Sequence, residues 1–205
     1  MSTLYSSRPN LVLGFHGCER SIANTVINNG TPMKPSQNDY DWLGNGIYFW
    51  ENNAERAFDW AVEQSKRPNS KIKTPAVIGA VLDLGYCFDL LDTHYLEELK
   101  TAYDAFVKIS QEANVPIPKN ESIHNSTDLL LRKLDCAVVM TAHQLNTEAN
   151  GKPYDSVRGA FWEGKELYPN AGFAEKNHIQ ICICNPNCIK GLFHPRELIA
   201  NFPNP

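Results

Sequence analysis

Leu11-Val12-Leu13-Gly14-Phe15-His16-Gly17 and Trp42-Leu43-Gly44-Asn45-Gly46-Ile47-Tyr48-Phe49 are the stretches whose reading decides the fold. The first is an apolar strand that runs into a polar, glycine-marked turn. The second enters a short strand, Gly46 to Trp50, through glycines. Between them Ser21 is placed to cap a helix with Ile22, Val26 and Ile27 on one face, stopped by Gly30. Residues 31–41, with Pro32 and Pro35, read as a loop. After the second stretch Asn53 caps another helix, with Ala57, Trp60, Ala61 and Gln64 at helical spacing.

Further along, residues 65–75 form a polar loop carrying Lys66, Arg67, Lys71 and Lys73. The continuous apolar run 76–84 predicts a buried strand. Asp92 or Thr93 opens a long helix striped by Leu96, Leu99, Tyr103 and Phe106. Residues 128–134 read as a short helix, 137–140 as a short strand and 144–155 as a polar loop. Residues 157–162 read as a strand or ordered turn, and 165–173 as another loop. His178-Ile179-Gln180-Ile181-Cys182-Ile183-Cys184 alternates cleanly, which predicts a strand with two distinct faces. Ile179, Ile181 and Ile183 share one face; His178, Gln180, Cys182 and Cys184 share the other. The segment from Pro195 to Pro205 reads as a loosely packed end. Short strands irregularly interrupted by helices favour an α+β domain over a doubly wound sheet.

The 205 residues are read as one domain, and 42% hydrophobic with 20% charged residues is an ordinary globular composition. A formal charge of −4 argues against broad, non-specific phosphate binding. The stretch from Met1 to Arg8 lacks the apolar centre of a secretory signal, and no apolar run reaches the length of a membrane span. Six cysteines in a chain of this size do not make a disulfide scaffold, so reduced thiols and a cytoplasmic location are expected. Cys182, Cys184, Cys188, His178 and His194 lack the usual Cys-x2-Cys spacing of a zinc site, and no metal is expected. Neither a phosphate-binding loop of the Gly-x4-Gly-Lys type nor a Gly-x-Ser-x-Gly turn is present.

From His16 to Trp60 the chain resembles the catalytic core of the poly(ADP-ribose) polymerase and diphtheria-toxin-like ADP-ribosyltransferases, which carry a His-Tyr-Glu signature on three core strands. Phe15-His16-Gly17 resembles the first-strand motif and Gly44-Asn45-Gly46-Ile47-Tyr48-Phe49 the second. The helix of residues 53–64 also sits where that family has one. The third motif departs from the pattern. The family has a carboxylate at the start of a late strand; here the matching position is Gln180, while Glu175 lies in the preceding loop. The chain therefore resembles either a His-Tyr-Gln variant or an enzyme whose acid enters from that loop.

The resemblance implies a split antiparallel sheet pair holding NAD as co-substrate in the cleft between its halves. His16 would hydrogen-bond a ribose hydroxyl, and the Gly17 backbone would approach the carboxamide. Gly44 and Gly46 would admit the ligand, while Tyr48, with Trp60 or Phe58, would stack the nicotinamide ring. Cleavage of the nicotinamide–ribose bond develops positive charge on the sugar. Gln180 could accept from the ribose 2′-hydroxyl but carries no charge; Glu175 could do both. Arg158, Trp162, Tyr168 and Phe173 are the candidate contacts to the acceptor. The function implied is mono-ADP-ribosyl transfer to a macromolecular acceptor, protein or nucleic acid, by a cytoplasmic toxin, effector or defence enzyme. Such an enzyme would engage no membrane and leaves room for an antitoxin or inhibitor partner. Two alternatives stand beside it: an NAD glycohydrolase, and a catalytically degenerate module that only binds NAD or ADP-ribose.

Overall fold

Residues 11–122 and 128–202 are described by the computed structural model; the N-terminal stretch read above and the last three residues of the terminal segment lie outside them. The elements run β1 (Val12–Glu19), α1 (Arg20–Asn29), β2 (Ile47–Glu51), α2 (Ala54–Ser65), β3 (Pro75–Leu82), β4 (Cys87–Asp89), α3 (Thr93–Glu112), β5 (Asn120–Glu121), β6 (Leu131–Arg132), α4 (Lys133–Asn150), β7 (Ser156–Phe161), β8 (His178–Ile183) and β9 (Ile189–Phe193). Seven strands form one sheet in the order β4-β7-β8-β2-β1-β3-β9, antiparallel throughout except for the β4–β7 pair. β5 and β6 make a separate small hairpin. The architecture is α+β with a mostly antiparallel sheet.

The two expected half-sheets are joined, and the join is narrow. β1 pairs with β3 along all eight of its residues, but with β2 only through Gly14↔Glu51 and Phe15↔Trp50. Beyond Phe15 the ladder between β1 and β2 stops, leaving a seam between the β4-β7-β8-β2 half and the β1-β3-β9 half.

Side-chain alternation sends each sheet face to a different core. Phe49, Ile47, Ile181, Ile183, Ala80 and Leu82 pack on one face, and Cys18 and Ile78 continue it under Ala23 and Val26 of α1. The opposite face of the β7–β8 half meets α3 and α4 through Leu43, Phe88, Val139, Val157 and Cys182, while α2 lies over β1 and β3. Both faces of β8 are thus covered, which is why its "polar" face buries Cys182 completely.

Capping follows the sequence at α2, where the Asn53 side chain accepts from Arg56 N–H, and at α3, where Asp92 caps. α1 differs: it starts at Arg20 after Glu19, without a side-chain cap, and Ser21 lies inside it. The larger correction is α4. One helix replaces the expected short helix, short strand and polar loop between 128 and 155. The apolar run 136–140 imitates a strand locally, yet Cys136, Val139, Ala142 and Asn146 are buried at helical spacing. Asn146 tolerates burial because it donates to Lys152 O and accepts from Tyr86 Oη and Asn150 Nδ2. β4 and β9 close the two edges of the sheet and had no separate counterpart in the sequence reading. No described helix is long and apolar enough to cross a membrane.

Candidate active site at the seam

Where β1 and β2 part, a side chain takes over from the ladder. His16 Nδ1 lies 2.8 Å from the main-chain oxygen of Tyr48. Burial lowers the His16 pKa, and the bond to Tyr48 only partly offsets it. A neutral ring donating from Nδ1 to that carbonyl presents Nε2 as an acceptor. Gly14 makes this geometry possible: a Cβ there would sit 2.6 Å from Leu82 Cδ1 and 2.9 Å from Phe49 Cβ, so a side chain would push β2 aside.

His16 also lines a cavity of about 430 Å³ between the sheet and α1. Its walls are Cys18, Ile22, Val26, Pro32 and Met33, with Thr25 and Lys34 among the polar groups. The residues after α1 return over the sheet because Ser36 pairs with Gly46 in an isolated bridge.

Tyr48 lies on the other sheet face. Its hydroxyl donates to Gly44 O at 2.8 Å and accepts from Leu43 N–H at 3.0 Å. Burial raises its pKa, so the phenol stays protonated and fixes the glycine turn it emerges from. Gly46 is required there, since a Cβ would lie 2.5 Å from Cys182 Sγ. Gly17 packs against α2, where a Cβ would lie 2.1 Å from the Ala57 carbonyl oxygen. Trp60, also on α2, meets Trp50 with ring centroids 5.7 Å apart, whereas Phe58 points to solvent.

The third position is occupied without being adjacent to His16. Gln180 pairs in register with Trp50 of β2 and Gly159 of β7, on the Tyr48 face. Its Oε1 accepts from Trp42 Nε1 at 2.7 Å, and Trp42 packs against Phe161. Glu175 is exposed; its loop has not folded inward, and its carboxylate accepts from Lys165 N–H at 3.4 Å. The structure therefore unites His16, the Tyr48 main chain and the seam, and places Tyr48 and Gln180 on one face. It does not bring Glu175 to them.

A group at the head of β8 escaped the sequence reading. Arg56 Nη2 of α2 donates to both Glu163 carboxylate oxygens at 3.0 and 2.9 Å, and the guanidinium lies over the Trp50 ring; Trp50 in turn neighbours His178. Trp50, Arg56 and His178 are all buried, and Trp50 Nε1, Arg56 Nε and Nη1, and His178 Nε2 have no hydrogen-bond partner among the described residues. The signal available in sequence was the Trp50–Arg56–Trp60 run beside the second motif.

Arg158, a candidate contact to the acceptor, does not reach the surface. It is buried between Glu51, at 2.5 and 3.0 Å, and Asp89, at 3.2 Å. Trp162, Tyr168 and Phe173 are 57–60% exposed and stand free for a partner. Among the described residues no cluster of three or more His, Cys, Asp or Glu is arranged to hold a metal ion.

No protein-family model matches the chain, and no solved structure does. Over 200 residues it is 30% identical to Uncharacterized protein MJ0359 of Methanocaldococcus jannaschii, an alignment covering 87% of this chain and 84% of that protein.

Proposed function

We propose, from the premise that this chain belongs to one family with the Methanocaldococcus jannaschii protein, that it is a mono-ADP-ribosyltransferase that binds NAD across the seam between β1 and β2. The observation that carries this reading is His16: one imidazole that both ties the Tyr48 main chain and lines the α1 cavity. The ADP-ribosyltransferase-like resemblance of the two motifs is the second support.

In this reading the adenosine half occupies the α1 cavity, where Ile22, Val26, Pro32 and Met33 offer apolar walls and Lys34 a cation for the diphosphate. His16 Nε2 accepts from a ribose hydroxyl. The nicotinamide lies at the seam on the His16 side of the sheet, against the main chain of Gly17 and Tyr48. Nicotinamide leaves without a strong general acid, so the work of the protein is orientation and shielding. Gln180 orients the 2′-hydroxyl, and Glu175 or Glu163 supplies the charge that offsets the sugar cation. Trp162, Tyr168 and Phe173 contact the macromolecular acceptor.

A second reading, binding of NAD or ADP-ribose without turnover, is favoured by one observation. Gln180 Oε1 is already committed to Trp42, and Glu163 to Arg56. Incubation with NAD labelled in its adenylate half, with and without cell lysate, separates the readings. Label retained on protein or nucleic acid supports transfer. Nicotinamide release with free labelled ADP-ribose means hydrolysis. Saturable binding without release means a binding module, and no binding at all overturns the proposal.

A further inference from the structure

At the far end of β8 from the Trp50 cluster, a thiol and an imidazole stand together away from the seam cavity. Cys184 directly follows β8 and is half-buried, and its Sγ lies 3.9 Å from His143 Nε2 of α4. The His143 ring is edge-on to Tyr154, with centroids 5.5 Å apart, which orients it toward the thiol. Asp155, the neighbouring carboxylate, is committed elsewhere: its oxygens accept from Tyr86 N–H and Asn185 Nδ2. The imidazole is thus left to the sulfur.

The groups facing Cys184 are His143 from α4, Cys182 from β8, Asp155 from the segment before β7, and Cys188 beyond it. Cys182 and His143 both favour the thiolate and lower the Cys184 pKa, against the pull of burial and Asp155. Cys18, Cys182 and Cys188 shift the other way, raised by burial. A thiolate beside an imidazole, partly open to solvent, is the environment of a reactive cysteine.

We propose that Cys184, activated by His143, is a site of reversible S-thiolation by low-molecular-weight disulfides. The Cys184 thiolate attacks one sulfur of the disulfide. A protein–small-molecule S–S bond forms as the original S–S bond breaks, and the departing thiolate takes its proton from the His143 imidazolium. The protein thiol is oxidised, one small-molecule sulfur is reduced to a thiol, and excess free thiol reverses the exchange.

The test is to treat the full chain with oxidised glutathione, locate adducts by peptide mass spectrometry, and follow the rate with dithiodipyridine across pH. The expected result is one fast adduct per chain, at Cys184, whose rate persists well below the ordinary thiol midpoint near pH 8.5. Cys184→Ser removes that adduct. His143→Gln, checked for an unchanged melting curve, slows the reaction about 10-fold near pH 7 and moves its midpoint up toward the ordinary value. Fast modification at a different cysteine overturns the proposal. So does a Cys184 rate whose pH midpoint is ordinary and indifferent to His143→Gln. Neither outcome depends on NAD binding.

Discussion

Trp42 Nε1 donates to Gln180 Oε1 at 2.7 Å, joining the loop before β2 to the middle of β8. The bond fixes which way the Gln180 amide points and holds Trp42 against Phe161. Gln180→Leu leaves a partly buried indole N–H without an acceptor and is expected to cost about 1 kcal/mol in denaturant unfolding. Gln180→Glu keeps an acceptor for Trp42 and should retain most of that stability. If the seam turns NAD over, the added carboxylate should also raise the rate of nicotinamide release. A Gln180→Leu variant as stable as the parent would mean that the bond does not form.

Glu175 offers a contrast, because it is exposed and its carboxylate accepts from Lys165 N–H of its own loop. Glu175→Ala should change stability by less than about 0.5 kcal/mol. If Glu175 supplies the charge, nicotinamide release falls while NAD affinity holds. If release survives in Glu175→Ala but not in Glu163→Gln, the acid is the one beside Arg56. Parallel melting curves and a nicotinamide assay decide between them.

Two histidines make stability depend on pH in one direction. Burial lowers the pKa of both His16 and His178 from the ordinary imidazole value of 6.5. Below 6.5 the unfolded chain takes up protons that the folded chain refuses, so stability is full above that pH and is lost as pH falls toward the folded values. Each histidine contributes a slope of at most about 1.4 kcal/mol per pH unit. Urea midpoints measured from about pH 7 to about pH 5 should fall, and His16→Asn should flatten the fall. A parent midpoint that rises on acidification would contradict the burial of both rings.

Those histidines also show what was legible in sequence. The strand–helix–strand–helix order around His16 and Tyr48 was readable because glycines and caps punctuate it, and because each periodic run packs on one partner. The α4 region was not readable. Ala137-Val138-Val139-Met140 has local strand character, and only packing against α3 and β7–β8 makes it helical. At the site, His16, Gly17, Tyr48 and Gln180 were singled out by the resemblance of their motifs, and Gln180's side of β8 by alternation, but the opposite faces taken by His16 and Tyr48 were not readable. The sheet narrows to two register pairs at β1–β2, and that long-range property decides that His16 meets the Tyr48 main chain and not its ring. The burial of Arg158 was unreadable for a related reason. Its partners, Glu51 and Asp89, come from two other strands, and no local pattern announces them.

That ion-pair cluster has a measurable consequence. Arg158→Met leaves the Glu51 and Asp89 carboxylates in a buried setting without the guanidinium between them. Such a loss costs about 3–5 kcal/mol, enough to unfold many domains. A stable Arg158→Met protein that lost only acceptor labelling would return Arg158 to the acceptor surface.

Gly17 carries the strictest steric prediction. Its missing Cβ is what lets α2 lie against β1, with the Ala57 carbonyl oxygen at 2.1 Å from the position a Cβ would take and the Ala61 Cβ at 3.2 Å. A backbone carbonyl inside a helix cannot rotate away as a long side chain can. Gly17→Ala must therefore displace α2 as a body, at a cost of about 1–3 kcal/mol. Because α2 carries Trp60 onto Trp50, the same displacement should weaken NAD binding at the seam more than the stability loss alone explains. Gly172→Ala is the control, since a Cβ there meets nothing within 4 Å. Gly172→Ala should melt and bind like the parent, and Gly17→Ala should do neither. A Gly17→Ala protein indistinguishable from the parent in both assays would mean that α2 does not sit on β1 as described.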